Sequence, residues 1–97
     1  MNTIEQQTCL QFSNRSDQSD YIEFTSFGED GCTSYVGRQG GRQEVTLGPR
    51  CGNLGTILHE LGHALGLWHE QTRPDRGRYV RILYDNIESE NRRWFDK

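Results

Sequence analysis

All three histidines of this 97-residue chain lie within eleven residues, at positions 59, 63 and 69. The stretch reads His59-Glu60-x-x-His63-x-x-Gly66-x-x-His69. Two histidines four residues apart on a helix are rotated by only roughly 40° from each other, so both imidazoles can bind one zinc ion. Gly66 predicts the end of that helix through a left-handed residue. The chain can then turn back and bring His69 to the metal as a third ligand.

Three protein ligands leave the fourth zinc position open, which is typical of a catalytic site. Bound zinc lowers the pKa of a water molecule to about 7 and polarises a carbonyl group. Glu60 lies beside the first ligand, and we predict that it acts as the general base. The pattern therefore predicts one Zn²⁺ per domain and hydrolysis of peptide bonds. The alternative is a zinc- and disulfide-stabilised binding module without turnover, although a purely structural metal would not need Glu60.

A helix must position this motif. Asn53 is a suitable N-cap, and apolar residues follow it at helical spacing. They predict a core-facing stripe centred near Leu54 and Leu65, with His59 and His63 on the opposite side. The stripe consists of Leu54, Ile57, Leu58, Leu61, Leu65 and Trp68.

The first half of the chain alternates short apolar runs with polar or glycine-rich turns, which predicts strands. The first ten residues resemble the last turns of a helix, and two later segments are predicted as a strand or extended segment and as a helix. The predicted strands are 21–25, 32–36 and 44–47, the turns are 14–20, 27–31 and 37–41, and the later segments are 79–83 and 86–95. The fold class is therefore α+β in one small domain.

Composition limits the possible functions. The net charge of −3, from 11 basic and 14 acidic side chains, is too small to indicate a nucleic-acid or membrane-surface partner. No run of about 20 apolar residues predicts a membrane span, and residues 1–10 do not resemble a signal peptide. Leu, Ile, Val and Phe make up about a fifth of the chain, so we expect a disulfide, a metal or further sequence to support the core. A solvated charged segment is predicted at Arg73, Arg76, Arg78 and Arg81.

Three cysteines leave one unpaired if the others form a disulfide. Cys32 and Cys51 enclose 18 residues and could close a surface loop. Cys9 is then either a small buried side chain or one half of a bridge to a cysteine outside this chain. The sequence Asn14-Arg15-Ser16 is a glycosylation sequon. A disulfide and a sequon both favour an oxidising, secretory environment.

The segment HELGHALGLWHEQTRPDR, followed by YVRILYDNI, resembles the astacin family of zinc metalloproteases within the metzincin group. Glu70 directly after the third histidine, and the run from Arg73 to Arg76, carry the resemblance and count against an unrelated metal-dependent hydrolase. The upstream segment CTSYVGRQGGRQEVTLGPRC is also similar. The resemblance extends from about Thr3 to Phe95.

The resemblance implies a secreted endopeptidase, made as a zymogen, with a metzincin-like upper subdomain in which a small twisted sheet packs on the zinc-binding helix. It implies that His59, His63 and His69 bind zinc and that Glu60 is the general base. It also implies that Cys32 pairs with Cys51, and Cys9 with a cysteine beyond Lys97.

The resemblance further implies that the strand beginning near Cys32, comprising Cys32, Thr33, Ser34 and Tyr35, is the edge that binds an extended protein substrate. Glu70 would receive the amino group of the mature N-terminus in a buried ion pair. The family also has a methionine turn beneath the metal, whereas the one methionine here is Met1. Residues 1–97 are therefore expected to be part of a peptidase domain, its upper half plus the start of the lower half, with poor turnover by itself.

Overall fold

A three-stranded sheet occupies the first half of the chain in a computed structural model that describes residues 2–26 and 31–97. The strands are β1 (Tyr21–Thr25), β2 (Cys32–Ser34) and β3 (Arg42–Leu47). β3 is central and pairs in parallel with β1 and antiparallel with β2. The first predicted strand is confirmed at both ends. The second ends two residues earlier than predicted and the third begins two residues earlier, while most of the predicted 27–31 turn lies outside the described residues.

The predicted long helix is confirmed as α2 (Leu54–Ala64). Its first turn is capped as expected, because the side chain of Asn53 accepts a hydrogen bond of 2.9 Å from the backbone N–H of Thr56. The helix packs against β2 and β3. The α+β prediction is therefore confirmed, with the helix resting on the sheet.

The buried face of α2 is only partly the predicted one. Leu54 and Leu65, the predicted centre of the stripe, are 57% and 44% exposed. Burial falls on Leu61, which belongs to the predicted stripe, and on Glu60 and Ala64, which do not. This face is turned by roughly 70° from the prediction on a helical wheel. The physical reason is that β2 and β3 cover only one flank of the helix.

Two connections fasten β2 to α2. A disulfide joins Cys32, the first residue of β2, to Cys51, just before the helix, with their Cα atoms 6.0 Å apart. Beyond the other end of the strand, the backbone N–H of Gly37 donates a 2.8 Å hydrogen bond to the carbonyl of His63. The strand and the helix therefore run in the same direction, side by side.

The core is small. Among the described residues, the fully buried large side chains are Leu61, Val45 and Cys51. The radius of gyration is 16.0 Å, compared with about 13 Å for a compact domain of about 100 residues. An N-terminal helix, α1 (Asn2–Gln7), is formed as predicted but buries no residue.

The chain after α2 forms short 3₁₀ helices: η1 (Glu70–Thr72), η2 (Arg76–Arg78), η3 (Tyr84–Asn86) and η4 (Ser89–Phe95). η1 packs against η2 and η4. Residues 79–83 pair with no described strand, so of the two predicted forms, strand or extended segment, the strand is wrong. The helix predicted for 86–95 is a 3₁₀ helix and begins later, at Ser89. Within 2–26 and 31–97, no helix is long and apolar enough to cross a membrane.

Candidate metal centre

The three histidines converge on one point. Nε2 of His63 lies 3.0 Å from Nε2 of His59 and 3.1 Å from Nε2 of His69. One ligand atom from each residue lies within 4.8 Å of the other two. His59 and His63 project from α2, whereas His69 comes from the segment after it. The structure therefore brings together all three predicted metal ligands.

The helix ends in a turn that directs the chain back toward the metal centre. Gly66 has a φ of 106°, as predicted for a left-handed position. Its N–H donates to the carbonyl of His63 at 2.9 Å, and the N–H of Leu67 donates to the carbonyl of Gly62 at 2.9 Å. This pair of hydrogen bonds is a Schellman motif. It reverses the chain within three residues, so that His69 can reach the other two imidazoles.

The same turn orients the ring of His63. Its Nδ1 lies 2.8 Å from the carbonyl oxygen of Leu67. A carbonyl oxygen can only accept a hydrogen bond, so Nδ1 carries the proton. In the neutral ring the lone pair is then on Nε2, which faces the other histidines. Metal-binding histidines are commonly held by such a hydrogen bond from the second ring nitrogen.

The spacing of these nitrogens suits zinc. Two nitrogens bound at 2.0–2.1 Å in tetrahedral geometry lie about 3.3 Å apart. The two Nε2–Nε2 separations that involve His63, 3.0 and 3.1 Å, are slightly shorter. Neutral imidazole is also a preferred zinc ligand. The donor set and its geometry therefore fit one zinc ion bound by three nitrogens.

Glu60 lies on the border between two faces of α2. Its neighbour His59 is exposed on the metal side, whereas Glu60 itself is only 7% exposed. On the helical wheel Glu60 lies between the histidine face and the buried face. Glu60 therefore adjoins a metal ligand along the helix and is largely shielded from bulk water.

β2 is one of the two edge strands of the described sheet, as the family resemblance implies. The N–H of Gly48 donates to the carbonyl of Gly31 at 3.0 Å, which makes these two residues a hydrogen-bonded pair in the antiparallel register. Hydrogen-bonded and non-hydrogen-bonded pairs alternate. The backbone groups of Thr33 therefore face β3, whereas those of Cys32 and Ser34 face outward. Tyr35 follows the strand and its side chain is 63% exposed.

Glu70 is exposed and pairs with a neighbouring arginine. Its side chain is 76% exposed rather than buried, and Nη1 of Arg73 donates to it at 3.0 Å. Arg73 also binds Asp75 through two hydrogen bonds of 2.9 Å. The hydrogen bonds that Asp75 accepts from Arg73 lower the pKa of the Asp75 carboxyl group, and the hydrogen bonds that Arg73 donates to Asp75 and Glu70 raise the pKa of Arg73. The implied ion pair between Glu70 and the mature N-terminus stays a prediction.

Two supporting residues were missed by the sequence analysis. Gln43 is 7% exposed, accepts a hydrogen bond from the N–H of Gln39 at 3.1 Å and donates one to the carbonyl of Gly37 at 3.2 Å. It thereby fixes the turn that reaches His63. Arg76 was predicted to be solvated, yet its guanidinium binds three oxygen atoms. For Gln43 the available signal was a glutamine within a run of strand-forming residues. No local pattern marks Arg76.

Comparison with known proteins places the chain in a family. A family model described as Astacin, a peptidase family, matches residues 1–97. The chain belongs to the astacin family. The members of this family are zinc metalloproteases. The astacin fold is confirmed by similarity to a solved structure, a hatching enzyme zinc-protease from Oryzias latipes named high choriolytic enzyme 1. The TM-score is 0.75 at 44% sequence identity, over 93% of this chain and 44% of that one.

Curated astacin relatives are much longer than this chain. Tolloid-like protein 1 of Mus musculus is 49% identical over 85 residues, which are 87% of this chain and 8% of the relative. Zinc metalloproteinase nas-36 of Caenorhabditis elegans is 54% identical over 85 residues, which are 86% of this chain and 14% of the relative. The chain thus spans less than a sixth of the length of these relatives.

The cysteines follow the family expectation where the structure describes them. Cys32 and Cys51 form a disulfide. Cys9 is free and exposed, so the alternative that Cys9 is a small buried side chain is wrong.

Proposed function

We propose that this chain supplies the metal ligands, the general base and the substrate-binding edge of a zinc endopeptidase. The observation that carries the proposal is the convergence of three imidazoles, two of whose Nε2–Nε2 separations are close to those of zinc ligands, with a buried glutamate next to the first histidine in the helix. His59, His63 and His69 would hold the ion. When bound, zinc would act as a Lewis acid that activates water and polarises a carbonyl group.

Glu60 is the proposed general base. Its carboxylate would accept a proton from the attacking water and then donate it to the nitrogen of the departing amine. The low exposure of Glu60 supports this role, because a base shielded from bulk water keeps the proton within the site. The bond broken is the peptide C–N bond, and no covalent bond to the protein forms.

The outward-facing backbone groups of Cys32 and Ser34 are the proposed substrate contacts. An extended peptide can add to this edge as a further strand, with the exposed faces of Thr33 and Tyr35 beside it. Main-chain hydrogen bonds would then supply binding that depends little on the substrate's side chains. A protein substrate bound in extended form is therefore the proposed partner.

A secreted location is proposed for the whole protein. The Cys32–Cys51 disulfide supports it, since disulfides persist in oxidising compartments. The exposed thiol of Cys9 is the proposed partner of a cysteine outside this chain.

Two measurements test the catalytic proposal. Zinc affinity is measured for the 97-residue chain and for its Glu60→Gln and His63→Ala variants. Peptide hydrolysis is measured for a chimaera in which this chain replaces the matching part of the medaka hatching enzyme. We expect Glu60→Gln to keep zinc affinity within about twofold and to lower turnover by about 10²- to 10⁴-fold. We expect His63→Ala to lose tight zinc binding.

Other results would refute the proposal. Equal turnover by the parent chimaera and its Glu60→Gln variant would remove the general base. Tight zinc binding without turnover in the parent chimaera would favour the alternative, a zinc- and disulfide-stabilised binding module.

A further inference from the structure

Arg76 is a half-buried arginine that ties three segments together. Its Nη1 donates to the carbonyl of Gln71 at 2.7 Å and also to the carbonyl of Phe95. Its Nη2 donates to the hydroxyl of Tyr84 at 3.1 Å. One guanidinium thus joins η1, η3 and the end of η4.

The turn that Arg76 holds is the one that carries the third histidine. His69 is the N-cap of η1, and Gln71 lies within that helix. The N–H and the hydroxyl of Thr72 both donate to the carbonyl of His69, at 3.1 and 2.7 Å. The backbone of His69 is therefore fixed to η1, and η1 is fixed to the C-terminal segment by Arg76.

The other two histidines are held by different parts of the chain. His59 and His63 project from α2, which is supported by β2 and β3. Between α2 and η1, residues 65–69 are all exposed. The Schellman motif fixes the chain as far as Leu67, but little packing holds Trp68 and His69. The position of His69 therefore also depends on what holds η1.

We propose that Arg76 is a positioning residue for His69, which it places at the metal centre by holding η1 against η3 and η4. The inference rests on the proposed metal site. Arg76 contacts no ligand directly and acts through Gln71 and the helix that His69 caps. A planar guanidinium suits this task because its donors have fixed directions, whereas the lysine ammonium lies on a flexible stem.

The test compares Arg76→Gln with Arg78→Gln, a matched control that removes the same charge from an exposed neighbour. Zinc affinity is measured by competition with a chelator, at a temperature at which the metal-free variants are folded by circular dichroism. We expect Arg76→Gln to bind zinc about tenfold more weakly, the lower end of the effect of outer partners of metal ligands. We expect the control to stay within about twofold of the parent.

A purely structural role gives a different result. Arg76→Gln would then lower the unfolding midpoint of the metal-free chain and leave zinc affinity unchanged, which would overturn the proposal. Cobalt substitution adds a spectroscopic readout, because a displaced third ligand changes the visible absorption of bound Co²⁺. If Arg76→Gln does not fold, Arg76→Lys and Tyr84→Phe decide in the same way, with weaker zinc binding supporting the role and unchanged affinity overturning it.

His69→Ala separates this inference from the proposed site. If His69→Ala does not weaken zinc binding, the three-histidine site itself is wrong. If His69→Ala weakens zinc binding and Arg76→Gln does not, only the role of Arg76 is wrong.

Discussion

Nδ1 of His63 lies 2.8 Å from the carbonyl oxygen of Leu67, so the turn that ends α2 also orients a metal ligand. The hydrogen bonds of the Schellman motif place that carbonyl, and the positive φ of Gly66 allows the motif to form. The helix end and the metal centre are therefore coupled through backbone geometry.

Two glycines of this turn should respond oppositely to alanine. Gly66→Ala forces a side chain into left-handed backbone, which should destabilise the protein by about 1–2 kcal/mol and weaken zinc binding. At Gly62 an added Cβ would meet Cδ1 of Leu67 at 3.6 Å, an ordinary contact. Gly62→Ala should therefore stabilise the helix by about 0.5–1 kcal/mol. Urea unfolding and zinc titration measure both changes, and equal effects would contradict the assigned turn.

Removing the disulfide should cost stability without removing the metal site. The double variant Cys32→Ala/Cys51→Ala opens a loop whose closure stabilises the folded state by about 3 kcal/mol. Urea unfolding of the oxidised parent and of the variant measures the loss. Cys9→Ser is the control and should be neutral, because Cys9 is free and exposed. A loss well below about 1 kcal/mol would show that the loop is already ordered without the bridge.

The stability of the metal-free chain should fall in acid through Asp20. Its carboxylate accepts hydrogen bonds from the N–H of Gly41 and from Arg38, and these interactions lower its pKa below the ordinary value of 3.8. A lowered folded-state pKa contributes stability above the unfolded pKa, and this is lost as the pH falls through the folded value. Asp20→Asn should be less stable near neutral pH and should lose less between about pH 4 and pH 2. Parallel unfolding curves for the two proteins over this range would refute the assignment.

The outward N–H of Ser34 can be tested with proline. Ser34→Pro removes a donor that faces away from β3, so the sheet should persist while extended peptides bind more weakly. The hatching-enzyme chimaera should show a raised KM, by about tenfold, with unchanged zinc affinity. Thr33→Pro is the matched control, because it removes a donor that faces β3 and should unfold the edge strand. Normal hydrolysis by the Ser34→Pro variant would exclude this edge as the substrate-binding strand.

The sequence predicted the local features of the site well. Asn53 as the cap, the spacing of His59 and His63, and the left-handed Gly66 all follow from geometry within one helix. The paired cysteines and the edge position of β2 were also expected, although on the strength of family resemblance.

What the sequence did not predict depends on contacts between distant segments. The buried face of α2 is set by where β2 and β3 lie, so Leu54 is exposed despite its place in the apolar pattern. The sequences of the 3₁₀ helices after the metal centre show no strong hydrophobic periodicity. The three acceptors of Arg76 come from residues 71, 84 and 95, and no nearby residue indicates them.

The attachment of β2 at both ends has a consequence for cleavage. The Cys32–Cys51 bridge holds the start of the strand, and the Gly37–His63 hydrogen bond holds the chain just beyond its end, both against the helix that bears two of the ligands. If an extended substrate pairs with β2, its backbone would be held at a fixed distance from the metal ligands, because β2 cannot shift relative to α2. The register of main-chain pairing between substrate and β2 would then decide which peptide bond lies at the metal.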